Sequence, residues 1–248
     1  MAFAEDYIPA PDHVRNARDT AVSSGAPAPS NGLTTALTFL ARLMAARNVV
    51  EVGTGTGATG LALFEGMIGQ GVLTSIDSAA DWQLMARQAF REHGIPTQHY
   101  RLITGNPIDV LNNLRDGAYD IVLVNVDKLS YVEYIDQAQR LLRSGGLLLV
   151  NDALLGNLVA DTTDDSDEPM IIREALESVA GAEDFTALLL PLGLWCRREQ
   201  PCLLAANLGI MAAMFAAEAW FANYISAFNQ NHPHARLWFI GWEAPHFA

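Results

Sequence analysis

The chain has 248 residues, with 15 Lys and Arg against 28 Asp and Glu and a formal net charge of −13. That balance excludes a nucleic-acid binder, which gains affinity by bringing Lys and Arg to phosphates, and it disfavours docking on an anionic membrane. Half of the residues are hydrophobic, which excludes global disorder and supplies a real core. Two cysteines, Cys196 and Cys202, cannot build a disulfide framework. The start MAFAEDYIPAP lacks the basic and apolar regions of a secretory signal, so a cytoplasmic location is expected.

Residues 11–46 are polar and alanine-rich, with a turn-like break from Ser23 to Gly32, and predict two helices before any strong strand. From Asn48 short apolar runs alternate with amphipathic stretches: NVVEVG, GLALFEGMIG, VLTSID, DWQLMARQAFREHG, HYRLITG, PIDVLNNL, YDIVLVNVD, YVEYIDQAQRLLRSG and GLLLVND. This strand–helix alternation predicts an α/β fold, a parallel sheet covered on both faces. After an acidic loop from Asp161 to Pro169, a helix at IIREALESVA leads to FTALLLP and LGLWCRRE, which read as a closing antiparallel pair at one edge.

The composition changes near residue 200. From Leu203 to Phe228, a run of 26 residues, the single charged residue is Glu218. The run exceeds the roughly 20 residues that a membrane helix needs. Asn207, Glu218 and Asn223 inside it favour a helix docked on protein or on a second copy. Residues 1–200 are therefore read as one domain and 201–248 as a hydrophobic extension. His232, His234 and His246, with Trp238 and Trp242, form no metal-ligand set with an acidic or cysteine partner. His93 reads as the end of a helix, where a cation meets the dipole.

The segment VVEVGTGTGATG runs from a strand through a glycine turn into a helix. Gly53, Gly55 and Gly57 let the backbone turn sharply and let a ligand approach the helix N-terminus. About twenty residues on, VLTSID ends in Asp77, whose carboxylate can accept both hydroxyl hydrogens of a ribose. The pair marks an adenosine-containing ligand. The spacing Gly55-x-Gly57-x-x-Gly60 alone leaves NAD and S-adenosylmethionine both open. Glu51 just before the loop would oppose a pyrophosphate, and it suits a ligand carrying an ammonium and a sulfonium. The acidic balance and the two leading helices point the same way.

At EVGTGTGATGLAL, LTSIDSAADWQLMARQAFREHGI and YDIVLVNVDKLSYVEYIDQAQRLLRSGGLLLVNDALLGNLVAD the chain resembles the class I S-adenosylmethionine-dependent O-methyltransferases of the catechol and caffeoyl-CoA type, and among them the bacterial family 3 members. The resemblance covers roughly residues 12–198. It implies a doubly wound, Rossmann-like, seven-stranded mostly parallel sheet with an antiparallel edge strand, and a homodimer. It places S-adenosylmethionine against Glu51, Gly53, Thr54, Gly55, Gly57, Thr59 and Asp77, with Gly105 and Asn106 near the adenine.

The resemblance further implies methyl transfer to a hydroxyl of a small phenolic or catechol-like acceptor, aided by Mg²⁺ held by an aspartate ending the fourth strand and an Asp-Asn pair ending the fifth. This chain departs at both places, with Asn125 at the first and Asn151-Asp152 in inverted order at the second. A hard cation prefers carboxylates, so two readings stay open: a Mg²⁺ site of Asn125, Asn151 and Asp152, or polar residues that cap the loops after each strand. Lys128 is the one lysine among the 15 basic residues. By similarity it is the base that takes the hydroxyl proton, with Tyr131 beside it; an arginine could not serve, because it stays protonated. Two other functions remain in view: a cofactor-binding protein that has lost catalysis and acts in regulation or assembly, and an NAD(P)-dependent reductase.

Overall fold

The computed structural model describes residues 5, 7–182, 185–191 and 209–215. The two leading helices form as expected, α1 (Asp12–Ser24) and α2 (Asn31–Leu43), the second opened by Ser30, whose hydroxyl accepts the Leu33 N–H. The alternation then runs β1 (Asn48–Val52), α3 (Ala58–Gly66), β2 (Val72–Asp77), α4 (Ala80–Glu92), β3 (Tyr100–Thr104), α5 (Pro107–Leu111), β4 (Tyr119–Val124), α6 (Tyr131–Leu141) and β5 (Leu142–Val150). A 3-10 segment (Leu155–Ala160), α7 (Asp167–Gly181), β6 (Phe185–Pro191) and β7 (Gly209–Phe215) follow.

Five strands lie parallel in the order β3-β2-β1-β4-β5, the Rossmann-like arrangement, and the sheet continues through β7 to β6. Successive residues of β1 face opposite ways. Val50 and Val52 pack with Val122, Val124, Leu148 and Val150 under α6 and α7. Val49 packs with Ile121, Leu123, Leu147 and Leu149 under α1, α2 and α3. Near-continuous apolar runs are what a sheet buried on both faces requires.

Three sequence expectations change here. The strand partnering Phe185–Pro191 is Gly209–Phe215, which pairs antiparallel with both β5 and β6; LGLWCRRE, residues 192–199, lies outside the described residues. Among the described residues the antiparallel strand is thus β7, one place in from the edge, and β6 is outermost. Part of the hydrophobic run read as a helix is therefore a strand, and the sheet draws on residues beyond 200. An apolar segment of this composition satisfies its backbone equally well in a helix or a ladder, and the free edge of β5 selects the ladder. Last, α7 starts at Asp167, so Pro169 lies in its first turn, where a missing N–H removes no helical bond.

No helix among the described residues is long and apolar enough to cross a membrane. The histidines and tryptophans singled out after residue 230 lie outside the described residues.

Candidate functional site

Sheet register brings the site together. Ile76, Val52, Val124 and Val150 form one row across β2, β1, β4 and β5, so the residues that follow them, Asp77, Gly53, Asn125 and Asn151, leave the sheet along one edge. Chain order reverses between β1 and β4, and the carboxyl ends flanking such a switch are where open α/β sheets bind ligands. The loops are tied to their neighbours: Gly53 N–H donates to Ile76 O at 2.8 Å, Asn125 N–H to Val52 O at 2.8 Å, Asn151 N–H to Val124 O at 2.9 Å and Gly105 N–H to Asp77 O at 3.0 Å.

Glu51 is wholly buried on β1 and lies beside Ser75 in register. Thr59, in the first turn of α3, donates to one carboxylate oxygen, and Ser75 Oγ donates to the other at 2.5 Å. A hydroxyl has one hydrogen to give. The 2.6 Å contact between Thr54 and Ser75 is therefore donated by Thr54, which accepts in turn from Gln83 Nε2 at 3.0 Å. Gln83 also donates to Ile103 O at 3.0 Å, joining α4 and β3 to the loop. Burial pushes the Glu51 carboxyl up from 4.5 to about 7 against the pull of its two hydroxyl donors, and the charge of Asp77 adds to the rise. Ser75 and Gln83 carry no motif of their own; only the pairing of β1 with β2 marks them.

Asp77 closes the other side of the loop. One of its oxygens accepts the Gly55 N–H at 2.9 Å and the other the Ala79 N–H at 2.9 Å. Each carboxylate oxygen keeps a second lone pair, so the pair of hydroxyls expected of a ribose still has acceptors. Gly55 has φ +50, and a Cβ there would meet only Pro27 O at 4.0 Å, which leaves the turn open above the strand end. Asn106 caps α5 by accepting the Ile108 N–H at 2.9 Å. Thr56, missed by the sequence reading, is buried and donates to Ala17 O at 2.7 Å, fastening the loop to α1.

Across the switch, Lys128 Nζ lies 2.7 Å from Asp152 Oδ2, and both side chains are largely buried. Asp152 has φ +62, and its Oδ1 is buried with no hydrogen-bond partner among the described residues. Asn151 Nδ2 donates to Asn125 Oδ1 at 2.8 Å. Tyr131 is buried at the start of α6, and its hydroxyl donates to Asn151 O at 2.5 Å. Burial and the charges of Asp152, Asp127 and Glu168 push this phenol above its ordinary value. Asp127 leaves the strand direction and accepts the Leu129 N–H at 3.1 Å.

The profile of the O-methyltransferase family matches residues 27–195. The chain belongs to that family. A protein of Mycobacterium sp. (strain KMS), provisionally named an O-methyltransferase, is 42% identical over 193 residues, covering 78% of this chain and 88% of its own. Another with the same provisional name, from Mycobacterium tuberculosis (strain ATCC 25177 / H37Ra), is 40% identical over 192 residues, covering 77% and 86%. Among solved structures, the O-methyltransferase TomG of Streptomyces achromogenes, in complex with SAM, superposes with a TM-score of 0.75 at 23% identity, covering 87% of this chain and 95% of that one. The O-methyltransferase of Bacillus cereus, in complex with SAH, gives 0.73 at 20%, covering 86% and 95%. At those identities the likeness establishes the fold.

The residues at the family's metal position do not fit a resident Mg²⁺. The one carboxylate there, Asp152, is paired with an ammonium, and the amides of Asn125 and Asn151 bond to each other. Mg²⁺ ordinarily takes one or two carboxylates and fills its shell with water; with the Asp152 charge neutralised by Lys128 and the two amides engaged with each other, this set offers a hard cation no net negative charge.

Proposed function

We propose that this O-methyltransferase moves the methyl group of S-adenosylmethionine to a hydroxyl of a small phenolic or catechol-like acceptor, without a metal at Asn125, Asn151 and Asp152. The observation that carries the reading is the single sheet edge on which the glycine loop with Asp77 and the Lys128–Asp152 pair both emerge. The loop Gly53–Gly57 and Thr59 are assigned to the methionine end of the cofactor, Asp77 to the ribose, and Gly105 with Asn106 to the adenine side. Glu51 acts from beneath, ordering the loop through Ser75, Thr54 and Thr59.

When bound, S-adenosylmethionine supplies an electrophilic methyl on a sulfonium. The resting Lys128 ammonium, paired with Asp152, first releases a proton to solvent; the neutral amine then takes the acceptor's hydroxyl proton, and Asp152 stabilises the ammonium that re-forms. Tyr131 holds the Asn151 carbonyl, and with it the turn that aims Asp152; its buried, donating hydroxyl takes no part in proton transfer. Exposed Leu129 beside Lys128, and exposed Leu158 and Met170 after Asp152, offer apolar surface to an aromatic acceptor.

Calorimetric titration with S-adenosylhomocysteine, and with NAD as the competing nucleotide, tests the cofactor. Micromolar binding of the first, abolished in Asp77→Ala, with no NAD binding, is the expected result. Turnover on a panel of phenols and catechols, equal with Mg²⁺ and with EDTA and lost in Lys128→Ala, tests the chemistry; cofactor binding without any turnover would leave a binding protein instead.

A further inference from the structure

A second cluster lies on the helical face behind the glycine loop. His13 on α1, Glu65 near the end of α3 and His93 at the C-cap of α4 come from places 52 and 28 residues apart in the chain and meet where α1 packs on α3 and α4. His13 Nε2 is 3.0 Å from Glu65 Oε1 and His93 Nε2 is 3.4 Å from the same oxygen. One donor atom from each residue lies within 4.8 Å of the other two. The imidazoles are stacked, 3.6 Å between centroids and 17° between planes.

We propose that His13, Glu65 and His93 bind a zinc ion through two imidazole nitrogens and one carboxylate oxygen, with water as the fourth ligand. Zinc accepts this donor set in a tetrahedron at about 2.0–2.2 Å per bond, which sets neighbouring donors about 3.4 Å apart. The His93–Glu65 separation of 3.4 Å already matches that edge, and the His13–Glu65 separation of 3.0 Å is somewhat shorter. Joining both nitrogens to one ion needs the rings to tilt out of their stack. His13 Nε2 is buried, and its 3.0 Å approach to Glu65 Oε1 is not aligned as a hydrogen bond. A cavity of about 410 Å³ opens beside the cluster, bordered by Asp12, Asn16, Gln88 and Glu92, and gives water and ion a way in. None of these residues belongs to the methyl-transfer site.

The test uses the full chain, stripped with EDTA and titrated with zinc chloride while thermal unfolding is followed. An ion that binds only the native state stabilises it by about 2.7 kcal/mol at a hundredfold excess over Kd, so Tm should rise by roughly 5–10 °C for a chain of this size. His13→Ala and His93→Ala should each abolish the rise, Glu65→Gln should weaken binding at least tenfold, and His232→Ala with His234→Ala should leave it intact. Cobalt in place of zinc should give the visible bands of a tetrahedral ion, lost in the same variants. No rise in the native chain, a rise that survives the two single alanine variants, or one lost only with His232 and His234 overturns the proposal. If His13→Ala does not fold, His93→Gln, at a half-exposed helix end, decides the question in its place.

Discussion

Lys128 and Asp152 form a 2.7 Å ion pair at the ends of two adjacent parallel strands, and the carboxylate is held there by a residue with φ +62. The left-handed backbone costs a residue other than Gly about 1 kcal/mol, with Asn and Asp the readiest to adopt it. Lys128→Ala is expected to lower kcat about 10²- to 10⁴-fold, the usual contribution of a general base. Affinity for S-adenosylhomocysteine should stay within twofold. Lys128→Arg should be no better than alanine, because it keeps the charge and cannot take the proton. Asp152→Asn keeps the turn and loses the ion pair, so its deficit should fall between wild type and Lys128→Ala. Steady-state kinetics beside calorimetry separate these outcomes, and a Lys128→Arg enzyme of normal kcat would refute the proton-transfer role.

Glu51 makes native stability depend on pH in a direction opposite to most acidic groups. Its carboxyl rises from 4.5 to about 7 on folding. Below pH 4.5 both states are protonated, and the buried acid weighs nothing against the fold. Between 4.5 and about 7 the unfolded chain ionises first, so stability falls as pH rises; the loss above 7 is on the order of 3 kcal/mol. Glu51→Gln should remove this slope while lowering stability near pH 5, since an amide disturbs the chain of hydroxyl donors. Urea midpoints for both proteins between pH 4.5 and 8 give the difference. Parallel profiles would show that the carboxyl ionises at its ordinary value.

The α/β alternation, the glycine loop and Asp77 were legible because each is local: a period, a turn composition, a carboxylate at a strand end. What connects them was not. Ser75 and Gln83 look like surface polar residues until the register sets Ser75 beside Glu51. The strand Gly209–Phe215 was hidden inside a long apolar run, and only a partner ladder distinguishes strand from helix there. His93 read only as a helix end, and nothing in the sequence joined it to His13 and Glu65, since their meeting depends on how three helices pack. Lys128 stood out by composition, but its partner, Asp152, appeared in the sequence as a metal ligand in inverted order.

Asp77 couples the cofactor to the loop that holds it. Its carboxylate already accepts two backbone N–H groups, those of Gly55 and Ala79. Hydrogen bonds to a charged group contribute about 1.5–3 kcal/mol each. Asp77→Asn keeps the shape and replaces one acceptor oxygen by a donor, so S-adenosylhomocysteine should bind about 10- to 150-fold more weakly. Asp77→Ala should also lower Tm, because it frees both backbone groups. Equal affinity in Asp77→Asn and wild type would place the ribose elsewhere.

Gly53 joins the cofactor half of the site to the catalytic half. A Cβ at this position would fall 2.0 Å from Asn125 O, the carbonyl of a residue whose N–H is bonded to Val52 O, and Gly53 has φ +97, outside the range side chains adopt. Neither conflict can relax alone, since moving Asn125 breaks the β4 end and rotating Gly53 breaks its bond to Ile76. Gly53→Ala should therefore cost at least about 3 kcal/mol, combining an overpacked contact with a strained backbone, and for a chain of this size should lower Tm by roughly 6–12 °C. Gly55→Ala is the contrasting variant. It has φ +50 and open space around its would-be Cβ, so its stability should fall by only about 1 kcal/mol. Its S-adenosylhomocysteine affinity should suffer more than its Tm, because the added methyl stands where the ligand would lie. Thermal scans and titrations of the two variants side by side test the division, and a Gly53→Ala protein as stable as Gly55→Ala would show that Asn125 does not bear on the loop.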